Sequence, residues 1–282
     1  METKYPKLLS PIKLAGLTLK NRIFSAPTSL SELGPDTKYT KEAYEYYKLR
    51  AAGGAAVVCV GEVIVDLANG KSHPEQIGID DPRNSSAFCK LVDAIHSHGA
   101  AASAELDHGG ALCAPEFLGK TPAGPSAYVD SWGDEVRAMT EKEILHAVRM
   151  FGQAAATAKR YGFDMVTVHA GHGWLIHQFL SPLTNFRTDK WGGSVENRLR
   201  FLLLCIDEIR RGQKLPHRGP HFRRGAHPRR LRAGLRRGDR QGAGRQGGPD
   251  PRLRRHPAGG LLLRQDAPRP LRERHGKPQS GR

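Results

Sequence analysis

The sequence predicts an α/β fold built on a parallel sheet. Apolar segments of strand length alternate four times with longer segments that carry apolar residues at helical spacing. Parallel strands need long crossovers between them, and helices supply these, so the alternation indicates a parallel sheet. The pattern alone does not distinguish a closed barrel from an open, doubly wound sheet.

Four strands and four helices are predicted in alternating order. The strands are mostly apolar, and the second is a continuous apolar run apart from a Gly-Glu pair. The predicted strands are residues 23–26, 55–65, 100–106 and 163–168. The predicted helices are residues 40–52, 81–98, 140–161 and a segment that begins after Ser194.

The helix starts are marked by capping residues. Thr40 and Ser194 are hydroxyl residues at predicted N-caps, and Thr140 with Glu143 matches a capping box. Each helix also carries apolar residues that we expect to pack on the sheet. In the first helix these are Tyr44, Tyr47, Leu49 and Ala51, and in the last they are Leu199, Leu202, Leu203, Ile206 and Ile209.

Between the third strand and the third helix lies a segment rich in Pro, Gly and Ser, residues 115–136. Loops of this length are uncommon in compact domains unless they are functional or mobile. We therefore expect a long loop here that is functional or mobile.

The charge of the chain is concentrated in its last 70 residues. The whole sequence has 44 Lys+Arg and 28 Asp+Glu; residues 213–282 hold 20 and 4 of these, which leaves 24 of each in residues 1–212. The net charge of +16 therefore belongs to the tail. A neutral body gives no indication of nucleic-acid binding.

Residues 213–282 form an Arg/Gly/Pro-rich tail with one Phe and no Val, Ile, Tyr or Trp. Such a segment cannot bury enough apolar surface to offset ~1–2 kcal/mol of backbone entropy per residue, so it is expected to be disordered. One explanation is a genuine basic arm that binds polyanions. The other, which we favour, is a shift of reading frame near codon 212.

Targeting and redox features are sparse. The four cysteines are widely spaced without a C-x-x-C pair, and no run approaches the ~18 apolar residues of a membrane span. We expect a cytoplasmic protein with no membrane partner.

A long motif follows the fourth strand. Residues 169–173 read HAGHG, residues 178–189 read QFLSPLTNFRTD, and residues 192–201 read GGSVENRLRF. On these residues the chain resembles the old yellow enzyme family, the FMN-dependent ene reductases that include 2,4-dienoyl-CoA reductases and bacterial NADH:flavin oxidoreductases. The resemblance extends from Tyr5 to near Gly212.

The resemblance implies a fold and an activity. Residues 1–212 would be the N-terminal half of a (β/α)8 TIM barrel that binds FMN, followed by the tail. The activity implied is that of an FMN-dependent NAD(P)H oxidoreductase, which passes hydride from the flavin to the β-carbon of an α,β-unsaturated small molecule. The alternative is a non-catalytic protein whose basic tail binds polyanions.

The resemblance also assigns flavin contacts. Residues at the ends of the first three strands would line the cofactor, although Gly61 is nearly as well explained by a simple bulge. The family has Gln where this chain has Glu105; a carboxylate accepts from the flavin N3–H but cannot donate to a ring carbonyl. The expected cofactor-binding residues are Pro27, Thr28, Ser29, Gly61, Glu62 and Glu105.

The implied catalytic residues are His169, His172 and Trp174. The two histidines would bind the substrate carbonyl. Trp174 stands where the family has a proton-donating Tyr, and an indole cannot act as an acid near neutral pH. The histidines could instead bind a metal together with His177, but no carboxylate is suitably spaced in the sequence, so we expect no metal site.

The half-barrel has a consequence for the cofactor. In the resembling enzymes the later strands supply an Arg near the flavin and the backbone that holds the FMN phosphate. Residues 213–282 encode nothing comparable. We therefore expect this chain to bind FMN weakly or not at all.

Overall fold

The computed structural model of the chain describes residues 4–14, 16–28, 39–131 and 133–214, with only the backbone of the last two. Ser29 lies outside these residues, and so does nearly all of the predicted tail.

The described residues contain every predicted strand and helix, with additional short elements between them. In chain order the strands are β1 Ile12–Leu14, β2 Leu17–Leu19, β3 Phe24–Ser25, β4 Val57–Ile64, β5 Ile77–Gly78, β6 Ala101–Asp107, β7 Ala123–Gly124, β8 Tyr128–Val129, β9 Glu135–Ala138 and β10 Met165–Val168. The α-helices are α1 Pro6–Leu9, α2 Lys41–Ala52, α3 Leu67–Gly70, α4 Ser85–His96, α5 Pro115–Leu118, α6 Glu141–Arg160, α7 Leu175–Leu180 and α8 Val195–Lys214.

The four predicted strands form one parallel sheet in the order β3-β4-β6-β10, with the short β5 also paired to β4. Along this path each strand lies beside the predicted strand that precedes it in the chain. A doubly wound sheet instead reverses its strand order at a switch point. The uninterrupted order favours one wall of a barrel and confirms the predicted parallel α/β fold.

Alternate residues of β6 lie on opposite faces of the sheet, as the two-residue period of a strand requires. Ala102, Ala104 and Leu106 are fully buried and share one hydrophobic core with residues of α4 and α6, among them Phe88 and Phe151. Complete burial of each large side chain in this core contributes roughly 1.5–3 kcal/mol. The polar residues between them, Ser103, Glu105 and Asp107, lie on the opposite face.

Capping fixes the starts of two long helices as predicted. The Thr40 hydroxyl accepts from the backbone N–H of Ala43 at 3.2 Å. At the start of α6, Thr140 and Glu143 form the complete predicted capping box. Side-chain caps of this kind stabilise a helix by ~1 kcal/mol.

The prediction that Leu49 and Leu203 pack on the sheet is wrong. Leu49 is 65% exposed and Leu203 is 53% exposed. In α8 the buried apolar side chains recur every four positions, at Phe201, Cys205 and Ile209, and for Ile209 this burial confirms the prediction. Leu203 lies about 200° around the helix from Phe201 and therefore faces away from the core.

The predicted loop 115–136 contains regular structure. It begins with α5, and β7 and β8 both pair with β9 to form a separate three-stranded sheet. These strands have two to four residues each, too few for an alternating pattern to be recognised in the sequence.

Candidate active site

The candidate site lies at the carboxyl ends of β6 and β10, which are neighbours in the sheet. β10 ends at Val168, yet the backbone N–H of His169 still donates to the carbonyl of Leu106 at 3.2 Å. The sheet therefore holds His169 beside the end of β6. In parallel α/β proteins ligands bind at this edge.

The structure brings the three predicted catalytic residues together. The rings of His169 and His172 have centroids 5.1 Å apart, and the indole of Trp174 stands edge-on to His169 at 5.6 Å. His172 has a φ of 55°, in the left-handed region that non-glycine residues adopt at a cost and that recurs at functional sites. Their catalytic role stays a prediction, but their proximity permits two imidazoles to contact one ligand atom.

Two carboxylates from β6 complete this edge. The Oε1 atom of Glu105 lies 3.1 Å from Nδ1 of His169, and Glu105 is 7% exposed. Asp107 is 1% exposed, and neither of its carboxylate oxygens has a hydrogen-bond partner among the described residues. Burial raises the pKa of Asp107 well above its usual value, and the charges of Glu105 and Glu62 add to the shift.

The sheet face below these groups is polar. The hydroxyls of Ser103 and Thr167 are 2.9 Å apart, and the thiol of Cys59 donates to Thr167 at 3.5 Å. The register of the strands accounts for these contacts. Ser103 on β6 lies opposite Cys59 on β4, and Thr167 on β10 lies opposite Glu105, which is on the same face of β6 as Ser103. Burial raises the pKa of the Cys59 thiol, so it stays protonated.

The cofactor residues predicted at β3 and β4 differ in their exposure and contacts. Pro27 and Thr28 are exposed just after β3. A Cβ added to Gly61 would lie 2.6 Å from the backbone of Thr28, so the glycine permits close approach of the two chain segments. The strand bulges at this point, between Val60 and Val63. The role of Gly61 as a flavin contact stays a prediction.

Glu62 is held on the bulge by side-chain contacts. Its carboxylate accepts from the side-chain amide of Gln76 at 2.9 Å and lies 2.6 Å from Nε2 of His73. The contact with Glu62 is the main reason that the pKa of His73 is raised. The backbone of Glu62 has a φ of 52°, again in the left-handed region.

Sequence reasoning missed Gln178, which fixes the loops around the site. Its side-chain amide donates to the carbonyls of Gly109 and Gly173, and its oxygen accepts from the N–H of Ala111 at 2.9 Å. This buried side chain ties the loop after β6 to the loop after β10. The signal in the sequence that could have identified Gln178 is its position in the motif after β10.

Other residues of the motif have a structural role. Asn185 donates to the carbonyls of Phe179 and Trp191, at 2.8 and 2.9 Å. Arg187 donates to the carbonyl of Met139 at 2.9 Å, which fixes the motif against the segment before α6. Both polar side chains thus hold the loop by hydrogen bonds.

FMN fits this edge only in part. Glu105 is an acceptor when ionised, so it suits a ring N–H but cannot donate to a ring carbonyl. A buried carboxylate at this position also opposes the negative charge of a reduced flavin. The mismatch lies at Glu105, where the resemblance assigns the pyrimidine edge of the flavin.

Comparison with known families identifies the architecture. Residues 7–214 match the model of the NADH:flavin oxidoreductase / NADH oxidase family. The chain belongs to this family. The match ends at the last residue of α8, slightly beyond the boundary predicted at residue 212. It confirms the resemblance that the motif after β10 indicated.

Individual members of this NADH:flavin oxidoreductase family agree in sequence and in fold. The NADPH dehydrogenase of Bacillus subtilis (strain 168) is 37% identical over 205 residues, which cover 72% of this chain and 60% of that protein. The old yellow enzyme from Pichia sp. AKU4542 superposes with a TM-score of 0.69 at 32% identity, covering 73% of this chain and 56% of the other. Morphinone reductase in complex with tetrahydroNAD gives 0.67 at 31% identity, covering 73% and 61%. The wall described above is therefore part of a TIM barrel of the old yellow enzyme type.

The chain spans 32% to 60% of the length of the curated family members that it matches. Within the described residues, none of the helices combines the length and apolar character needed to cross a bilayer.

Proposed function

We propose that the described residues are the N-terminal part of an FMN-dependent NAD(P)H oxidoreductase of the ene-reductase type, which reduces α,β-unsaturated small molecules. The observation that carries the proposal is the His169–His172 pair, with ring centroids 5.1 Å apart at the end of β10. Family membership supports it, as does the tetrahydroNAD bound to the similar morphinone reductase. FMN, when bound, would supply the hydride for the β-carbon of the substrate, with NAD(P)H as the electron source.

The proposed role of His169 and His172 is to bind the substrate carbonyl oxygen. Because Nδ1 of His169 contacts Glu105, Nε2 is the atom left for a ligand. Donors fixed at this position stabilise the negative charge that develops on the oxygen during reduction.

Trp174 packs against His169 and has no proton to give near neutral pH. We propose that it shapes the substrate pocket. The proton for the α-carbon then comes from solvent or from another side chain.

The flavin would be held by backbone and side chains at the ends of β3, β4 and β6. The hydroxyl of Tyr47 donates to the carbonyl of Thr28 at 3.1 Å and so helps to fix the segment that follows β3. The residues proposed to hold FMN are Pro27, Thr28, Ser29, Gly61, Glu62 and Glu105.

We further propose that residues 213–282, which lie outside the described residues beyond Lys214, are a basic segment that arises from a shifted reading frame. The composition of this segment supports the proposal, and so does the end of the family match at residue 214. Resequencing the gene across codon 212 tests it: a restored frame should encode four further strand-helix repeats. An unchanged sequence would contradict the shift.

Flavin titration tests the assignment of the site. The purified full chain is expected to contain little bound FMN and to quench the fluorescence of added FMN weakly but saturably. Glu105→Gln is expected to bind FMN more tightly than the native chain, because an amide can both accept and donate. Glu75→Gln makes the same chemical change on a half-exposed side chain and is the matched control.

Two results would count against these statements. If neither the native chain nor the Glu105→Gln variant quenched FMN saturably, the flavin assignment would be wrong. If the native chain retained one FMN per molecule through purification, the proposed weakness of binding would be wrong.

The second candidate function is polyanion binding by the tail, which the location of the +16 charge supports. It predicts salt-dependent retention on DNA that is lost when residues 213–282 are deleted. Retention by the truncated chain would contradict it. For the compartment we propose the cytoplasm, in line with the four free cysteines.

A further inference from the structure

We propose that Glu105, Asp107 and His169 form a binding site for a divalent first-row transition-metal ion. Each of the three offers one ligand atom, and these atoms all lie within 4.8 Å of one another. Two residues come from β6 and the third follows β10, so the site is assembled by the pairing of these strands. The separation is one that a single ion could bridge after small side-chain adjustments.

The state of Asp107 is an independent indication of a ligand. The residue is 1% exposed, and both carboxylate oxygens lack a hydrogen-bond partner among the described residues. A buried carboxylate without a partner is strongly unfavourable, and buried charges are normally paired or bound to metals. A cation between Asp107 and Glu105 would satisfy the orphaned oxygens and compensate both negative charges.

The donor set indicates the kind of ion. Two carboxylates and one imidazole combine oxygen ligands, which suit Mn²⁺, with a nitrogen ligand, which suits Zn²⁺ and Fe²⁺. With only three protein ligands, positions remain open for water or a substrate oxygen, as in catalytic metal sites. Mg²⁺ should bind less well, because it prefers oxygen ligands and retains several waters.

The inference goes beyond the proposed function and is tested by a separate signal. The ion would share Glu105 with the proposed flavin site and His169 with the proposed carbonyl site, so the ion and those ligands would compete for this edge. Metal binding is read from the ion itself, so failure of one proposal does not imply failure of the other.

The test is a Mn²⁺ titration of the full chain, treated first with EDTA, in which electron paramagnetic resonance measures the free ion. We expect saturable binding of one Mn²⁺ per chain and displacement by Zn²⁺. Asp107→Asn should weaken Mn²⁺ binding at least about tenfold, because loss of even a supporting residue near a metal costs 10–100-fold. Asp134→Asn makes the same change at an exposed position and should leave binding unchanged.

Circular dichroism should show that Asp107→Asn is folded, since the change removes a buried charge and keeps the side-chain shape. If that variant does not fold, Glu105→Gln replaces it and should also weaken Mn²⁺ binding at least about tenfold. The proposal is overturned if the native chain binds neither Mn²⁺ nor Zn²⁺ saturably. It is equally overturned if the folded variants bind with native affinity, because the ion then lies elsewhere.

Discussion

Replacing Gly152 with alanine measures how tightly α6 packs on α8. An added Cβ would lie 2.9 Å from the carbonyl oxygen of Glu208 and 3.0 Å from its Cβ. Favourable non-bonded contacts between heavy atoms begin at roughly 3.5 Å. The nearest atom belongs to the backbone, so the helices must move apart rather than one side chain rotating away.

Two opposing effects set the size of the change. Alanine is favoured over glycine in a helix interior by about 1 kcal/mol. Overpacking of a close interface costs about 1–3 kcal/mol. We expect the clash to prevail and the free energy of unfolding to fall by about 1 kcal/mol, since the rigid backbone of α8 offers little relief.

Urea denaturation followed by circular dichroism measures this difference. The control is Gln153→Ala, an exposed substitution on the same helix that should change stability by less than about 0.5 kcal/mol. A Gly152→Ala variant more stable than the native chain by about 1 kcal/mol would refute the reasoning. It would show that α8 does not approach α6 as closely as described.

Two further predictions concern polar contacts that stabilise the fold. Hydrogen bonds from Arg137 lower the pKa of Glu143 to about 2. Because the folded-state pKa is depressed, this contribution is complete above the unfolded pKa of 4.5 and is lost as the pH falls through about 2. Both side chains are more than a third exposed, so the contribution should be about 1 kcal/mol or less. Urea midpoints at several pH values should show it in the native chain and not in Glu143→Gln; an equal acid response of both would contradict it. Asn185→Ala leaves two buried carbonyls without their donor and should cost about 2–4 kcal/mol in thermal unfolding experiments. Asn185→Asp cannot donate either and should be no more stable, whereas a native melting temperature in either variant would contradict the role of this amide.

The long elements could be read from the chain because their signals are local. The cap at Thr40 and the capping box at Thr140 depend on residues three apart, and both are present. Leu49 and Leu203 were misassigned because apolar character alone does not say which side of a helix meets its neighbour. The small sheet of β7, β8 and β9 could not be foreseen, since its strands are held by pairing rather than by pattern.

One part of the candidate site could likewise be predicted from the sequence, and another part could not. The pattern from His169 to Trp174 is contiguous in the chain, so the motif revealed it and the family followed from it. The sequence likewise shows that the body is neutral, that the basic charge lies in residues 213–282, and that Glu105 departs from the family pattern.

The grouping of Glu105 and Asp107 with His169 is visible only in the folded chain. His169 is more than 60 positions from either carboxylate in sequence, and the register of β6 with β10 brings it beside them. The same is true of the orphaned carboxylate of Asp107, because burial depends on what covers a side chain and not on its neighbours in the chain. Local chemistry thus fixed the elements and the motif, whereas contacts between distant segments determined which charges share one space.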